Sequence, residues 1–502
     1  MTTRPLTNTV SPGVSIDSMR GETRIHPSWV VAKKEWLEVW RDSRWSVLCF
    51  ITLALTFSAI SLGLLRVGRL AHEREAAASG DRAVWTSQGA KNPHSAAHFG
   101  QYAFKPAGPL AVADPGVDDF AGNTVWLEAH KQNEVQFRSA RDGTLMGRMG
   151  RLTLAYIFQV IMPLVAIMLG FSAFASEREK GTLRLLISLG VSPRSIFLGK
   201  LLSGSIVILL LLTIAIGSLF IALSLARGDG IHERDSSLRL LGLALGYGLY
   251  LLGFLSLSLT IAARARNCRS ALVALLAYWI LNCFVVPRVA TDLVERAVDL
   301  PTAVAFRESI AEDRKRQFGH DETHPEFVAF RDRLLRQYNV KRVEDLPVSF
   351  RGLSLREDDE RGYRIYDRHF GALQSRLARQ DWLRAAPGVV FPLLALQPIS
   401  MAMAGTDNRH QDHFVNEAER HRRRIQTAAS QDLIDHARNG DTSYVAPRSL
   451  WEHIPSLQYE RPPGSWAWKG QWLSLLSLTI WCGGCCLLGW IVSPSMRIEV
   501  AA

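Results

Sequence analysis

The chain alternates between long stretches without a single Asp, Glu, Lys or Arg and stretches crowded with them. Charge-free runs of membrane length cover residues 45–65, 152–176, 201–226, 240–263, 270–287, 385–406 and 470–496. A bilayer core takes about 20 apolar residues as helix, and one charge at its centre costs about 2.5–3.5 kcal/mol. Soluble domains have no reason to exclude charge so often. Six runs are expected to span: 45–65, 152–175, 201–226, 238–263, 270–287 and 470–492. The remaining run carries Pro387, Pro392 and Pro398. A proline inside a helix removes a hydrogen bond and clashes with the preceding turn, so 388–404 is expected to be an interfacial or re-entrant piece. The first 28 residues are polar, with no apolar signal region. Residues 1–26 are expected to be a disordered tail, and 45–65 an uncleaved anchor.

Between these runs the period changes. Residues 27–44, PSWVVAKKEWLEVWRDSR, bring Trp29, Ala32, Trp36 and Val39/Trp40 round at helical spacing, as in an amphipathic helix lying on a membrane surface. Residues 66–151 begin as a helix continuing the first span. They then become turn-rich around Pro106, Pro109 and Asp114-Pro115-Gly116, with a short strand expected near 124–127. Residues 288–469 read mostly as charged amphipathic helix. The fold class expected is thus an all-α polytopic membrane protein of six transmembrane helices. It carries a small mixed α/β insertion (66–151) and a larger, mostly α insertion (288–469), both extracytoplasmic.

Charge orients the chain. Lys and Arg mark the cytoplasmic loops of a membrane protein. Lys33, Lys34, Arg41 and Arg44 precede the first span, and Arg264, Arg266 and Arg269 join the fourth to the fifth. The segment 176–200 between the second and third spans adds Arg178, Lys180, Arg184, Arg194 and Lys200, whereas the loop at 227–239 balances bases with acids. Both termini are therefore expected in the cytoplasm. The net charge of +11 is accounted for by this orientation, without a nucleic-acid partner; membrane lipid is the surface it faces. The two insertions contain no cysteine, so they fold without disulfides.

Candidate chemistry concentrates in 176–200. Gly181 can end the second span's helix, Thr182 can cap a short helix over 183–189, and Ser192-Pro193 is a start signal for the next helix. Leu183, Leu186 and Ile187 are expected to form one apolar face, with Glu177, Arg178, Glu179, Lys180 and Arg184 as a charged rim. That suits a protein partner. A simple loop obeying the charge rule would need neither the helix nor the acids.

Here the chain resembles permeases of ABC-2-type transporters, whose pattern in this place is E-R-E-x-G-T-L, a Leu-rich short helix and a V-S…G-K start of the next span. The matching residues are Glu177-Arg178-Glu179-Lys180-Gly181-Thr182-Leu183, Val191-Ser192 and Gly199-Lys200. The DPGV run at 114–117, the AGTD run at 404–407 and the His413-Phe414 pair resemble the subgroup carrying domain of unknown function 3526. The resemblance implies a type V-like fold in a bacterial inner membrane and a coupling helix seated on a separate ABC ATPase. It further implies a second permease copy or sibling, and efflux as the activity. The chain has no GxxxxGK[ST] loop for phosphates. No cofactor is therefore expected on the chain itself; ATP and Mg belong to the partner, and the chain is not an enzyme.

Other constellations are weaker. Gln159 and Asn282 are polar positions inside spans and stand as pathway candidates, although bonding between helices explains them equally. The spacings His94/His98, His320/His324 and His410/His413 could each hold a metal, but surface histidines are the expected reading. The Cys482–Cys486 cluster reads as small-residue packing, so no metal site is expected. The rival functional reading is ATPase-driven mechanotransmission to a periplasmic partner with nothing crossing the membrane. A membrane enzyme would want a paired nucleophile and base or paired carboxylates within spans, and there are none.

Overall fold

The computed structural model of the chain describes residues 26–138, 151–226, 233–317, 321–439 and 443–496. The tail expected at 1–26 lies outside them apart from His26. Among the described residues, six helices are long and apolar enough to cross a membrane: Ser43–Thr86, Leu154–Glu179, Pro193–Leu225, Asp235–Arg264, Cys268–Ala297 and Trp472–Ser495. They are called spans 1–6. The protein is a mostly helical, multi-pass membrane protein with one small sheet. Spans 2 and 4 are the most enclosed, and spans 1, 5 and 6 keep broad apolar faces open. Leu62, Phe50, Val273 and Leu487 are exposed there, as surfaces that meet lipid must be.

The helix Pro27–Arg41 precedes span 1 and lies against span 3. Its Val31 and Ala32 are buried, and Trp36 and Val39 pack on the bundle. Trp29 and Trp40, expected on the same face as Ala32, point outward instead. The close approach is made at Gly199, where an added Cβ would lie 2.6 Å from the Val31 Cβ.

The run at 385–406 is neither a span nor a surface helix. Its helix covers Leu393–Ala404, 12 residues, roughly 18 Å of rise against a hydrocarbon core of about 30 Å. Nine of those residues are buried among spans 4 and 6, as those of a re-entrant helix would be. Gly242 and Gly246 on span 4 make room for it, since a Cβ at Gly242 would lie 2.4 Å from the Met403 sulfur. Both ends of the helix are held by side chains from the spans. Asn282 Oδ1 accepts from the Leu393 amide at 3.3 Å. Arg239, fully buried, donates to the carbonyls of Ala402, Met403 and Pro462 at 3.2, 3.3 and 2.6 Å and pairs with Asp235 at 2.8 Å. Helix C-termini present unsatisfied carbonyls, and the guanidinium fork answers them.

The two insertions form a single body. A three-stranded antiparallel sheet runs β1 (Gln101–Phe104), β2 (Thr124–Glu128) and β3 (Lys131–Gln132), in that order. Trp85, Ala103, Val125 and Leu127 from the first insertion share one core with Phe414, Ile425, Trp451 and Ile454 from the second. The Trp85 indole donates to the Trp451 carbonyl at 3.0 Å. The DPGV and AGTD runs meet each other. Ser400 Oγ donates to Asp114 Oδ2 at 2.5 Å, Thr406 Oγ1 to the Asp114 carbonyl at 3.0 Å, and the Val117 amide to the Thr406 carbonyl at 2.9 Å. Gly405, at φ 75°, turns the chain out of the re-entrant helix, and Asp407 caps the helix Asn408–His436. The re-entrant helix is thereby latched to the first insertion.

Replacing Arg239 with Met should strand those carbonyls and Asp235 in a buried site and destabilise the protein by about 3 kcal/mol. Arg239→Lys should recover only part of this. Thermal melting of the purified protein in detergent reads both.

Candidate coupling site

At the end of the bundle opposite the insertions, the chain leaves span 2 and re-enters span 3 through a short helix, Thr182–Ser188. Gly181 precedes it at φ 74° and Gly190 follows at φ 84°. These are left-handed conformations that a side chain would strain. Gly181 is itself the N-cap. Thr182, expected as the cap, is the first helical residue, and its hydroxyl donates to the Glu177 carbonyl at 3.1 Å. Ser192 caps span 3 by accepting from the Ser195 amide at 3.2 Å, with Pro193 at the first helical position.

The expected docking face of Leu183, Leu186 and Ile187 is corrected by burial. Leu183 is fully buried in the core of the spans, and Leu186 and Ile187 pack partly against the same core. The face turned away from the bundle is Leu185, 58% exposed, and Leu189, 71% exposed, four residues apart and so on one side of the helix. Glu179, Lys180 and Arg184 are exposed around them.

Glu177 and Arg178 are likewise not part of an open rim. Arg178 is buried and donates to the Ala265 carbonyl at 2.8 Å and the Ala263 carbonyl at 3.4 Å, closing the C-terminal end of span 4. Glu177 sits in a cluster of four charges. The Lys200 ammonium lies 2.7 Å from Glu35 and 3.1 Å from Glu177. Lys34 lies 2.7 Å from Glu177 and 3.0 Å from Glu35. The Lys200 side chain is 3% exposed and that of Glu177 10%, so this is a buried network joining the N-terminal helix, span 2 and span 3. Burial pushes the Glu35 carboxyl up, but Lys200 and then Lys34 outweigh it and hold the carboxyl below its usual range. Stability from a depressed carboxylate is present above its unfolded pKa and lost as pH falls through the lower folded value. The signal that could have exposed this network was the charged triplet Lys33-Lys34-Glu35 in the middle of the amphipathic helix; its partners lie far away in sequence.

Both pathway candidates sit where helices are linked, Asn282 through its side chain and Gln159 through its main-chain carbonyl. Asn282, fully buried in a π-helical turn of span 5, donates to Tyr250 Oη at 3.1 Å besides holding the re-entrant helix. Tyr250 donates to the Gln159 carbonyl at 2.8 Å, within a second π-helical turn in span 2.

Residues 29–301 match the family described as ABC-2 family transporter protein. That match takes in the N-terminal helix, spans 1–5 and the whole charged end just described. The chain belongs to this family. It is a transmembrane permease subunit of the ABC-2 type, a family whose members work with an ABC ATPase. Residues 303–459 match domain of unknown function 3526, so that domain is nearly all of the second insertion, including the re-entrant helix. No curated protein matches the chain.

Among the histidine pairs, His410 bonds Asp407 at 2.5 Å and His413 faces Tyr459 at 3.1 Å, so they serve separate partners. His324 caps a helix by accepting from the Glu326 amide at 3.2 Å, and His320 lies outside the described residues. His94 and His98 are different, because the fold adds His130 to them.

Lys200→Met should leave two buried carboxylates facing each other and cost about 3 kcal/mol. Lys34→Met, at a half-exposed position, should cost under about 1 kcal/mol. Thermal melts of the two variants at neutral pH give the comparison.

Proposed function

We propose that this permease subunit works as half of an exporter in a bacterial inner membrane. In this reading a separate ATPase drives it through the helix Thr182–Ser188, and both termini are cytoplasmic. The observation that carries the reading is the exposed Leu185–Leu189 pair, ringed by charge, on a helix whose other face is buried in the spans. An apolar knob with a charged rim fits a groove on a protein partner. The four-charge cluster and Arg178 would pass force from that knob into spans 2, 3 and 4 together. Closure of the nucleotide-loaded ATPases would then tilt those spans and switch a cavity formed with a second permease copy or a sibling. ATP and Mg stay on the ATPase, and the permease supplies no catalytic residue. Glu179, Gly181 and Thr182 shape the approach to the knob, while Glu177, Arg178, Leu183, Leu186 and Ile187 anchor it.

The shared core of the two insertions favours a second reading. They form one body latched to the re-entrant helix, which suits ATPase-driven movement acting on a periplasmic partner without flux. ATP-dependent substrate movement in proteoliposomes separates the two readings.

Two outcomes test the coupling assignment. Leu185→Asp combined with Leu189→Asp should reduce co-purification of the partner ABC ATPase at least tenfold, with the permease's melting temperature unchanged; full retention would overturn the assignment. In a background lacking Cys268, a thiol introduced by Ser188→Cys should react with a membrane-impermeant reagent only after the cytoplasmic side is opened. Labelling of intact cells, with the outer membrane alone permeabilised, would reverse the proposed orientation.

A further inference from the structure

The insertion body adds a third histidine, His130, to the spaced pair His94 and His98, and the transport reading uses none of them. His94 and His98 sit one turn apart on the helix Pro93–Phe99, which Asn92 caps and Gly100 ends. Their Nε2 atoms are 3.3 Å apart. His130 comes from the two-residue turn between β2 and β3, opposite the pair Glu128 and Lys131. The ring centroids of His130 lie 5.1 Å from His94 and 5.2 Å from His98. One ring nitrogen from each residue falls within 4.8 Å of the others.

We propose that His94, His98 and His130 form a three-imidazole site for a borderline divalent transition metal, of the zinc or copper class. Three observations carry this. First, a tetrahedral ion with bonds of about 2.0–2.1 Å places its nitrogen ligands about 3.3 Å apart, the separation already present between His94 and His98. His130 then needs only a small side-chain adjustment. Second, His130 Nδ1 lies 2.8 Å from Asp359 Oδ1. A carboxylate on one ring nitrogen fixes the tautomer and presents Nε2 as ligand, the arrangement that orients metal-binding histidines. Asp359 is buried on the long helix Phe350–Ala385, and Asp358 places a second carboxylate 3.8 Å from the same nitrogen, itself paired to Arg314 at 3.2 Å. Third, the turn that carries His130 is held in place; its φ of 57° is the left-handed state that a two-residue hairpin turn requires. The Ala129 amide, next to it, donates to the Ala97 carbonyl at 3.1 Å and so pins the turn to the helix bearing the other two ligands.

His98 is exposed, which leaves a fourth position open to water or to a ligand handed over by another molecule. Three protein ligands with one open position mark an exchangeable rather than a sealed structural site. Since Asp359 belongs to the second insertion and the histidines to the first, a bound ion also tightens the junction between them. The inference stands on this cluster alone and does not depend on the transport reading.

The test uses the full chain in detergent, purified without a polyhistidine tag and stripped with chelator. Zn2+ and Cu2+ are titrated separately against a chromophoric competitor, and Co2+ serves as the spectroscopic probe. One ion per chain, bound at submicromolar concentration, with the intense visible bands of tetrahedral Co2+, is the expected result. His94→Ala with His98→Ala should weaken binding at least a hundredfold, and Asp359→Asn about tenfold, with the metal-free melting temperature of the histidine variant unchanged. Equal affinity in wild type and the double variant, or a pale octahedral Co2+ spectrum, would overturn the site.

Discussion

The buried Lys200 ammonium, held between Glu35 and Glu177, governs one end of this protein. Charges out of water are costly unless each has a partner at close range. Lys34, Glu35, Glu177 and Lys200 pair with one another only while the N-terminal helix, the end of span 2 and the start of span 3 stay in register. Gly199 lets the helix come near enough, and Arg178 extends the joint to span 4. The short helix is consequently fixed at its root, and whatever presses on Leu185 and Leu189 presses on three spans.

A second joint organises the other end. The re-entrant helix is too short to cross, so its two ends must be satisfied inside the protein. Asn282 holds its start and Arg239 its finish. The DPGV and AGTD runs then bind it to the insertions through Asp114, Ser400 and Thr406. Polar side chains within an apolar bundle serve here as joints between helices, which is why Asn282 and Arg239 bear on rigidity before they bear on a path.

The spans were legible because exclusion of charge over membrane length has one cause. The helical breaks at Gly181, Gly190 and Ser192-Pro193 were legible because each is local chemistry. What sequence could not assign was the face of the short helix. Leu183, Leu186 and Ile187 fall on one side by spacing and Leu185 and Leu189 on another, and only the packing of spans 2, 3 and 4 decides which is covered. The charge cluster, and the addition of His130 to the spaced pair His94 and His98, escaped because the parts that meet lie far apart along the chain, where spacing carries no information. Re-entrance of 393–404 was half visible: three prolines argued against a span, but the glycines that admit the helix lie on span 4.

Span 1 runs without a proline from Ser43 to Thr86. Its foot lies beside the charge cluster's helix, and its tip, through Trp85 and Arg82, is embedded in the insertion body. Such a rod of 44 residues is roughly 66 Å long, and a lean of about 10° at its foot would carry its tip about 11 Å. An unjointed mast of this kind makes the insertion body a dial for the bundle's posture, readable at a distance by anything that grips it.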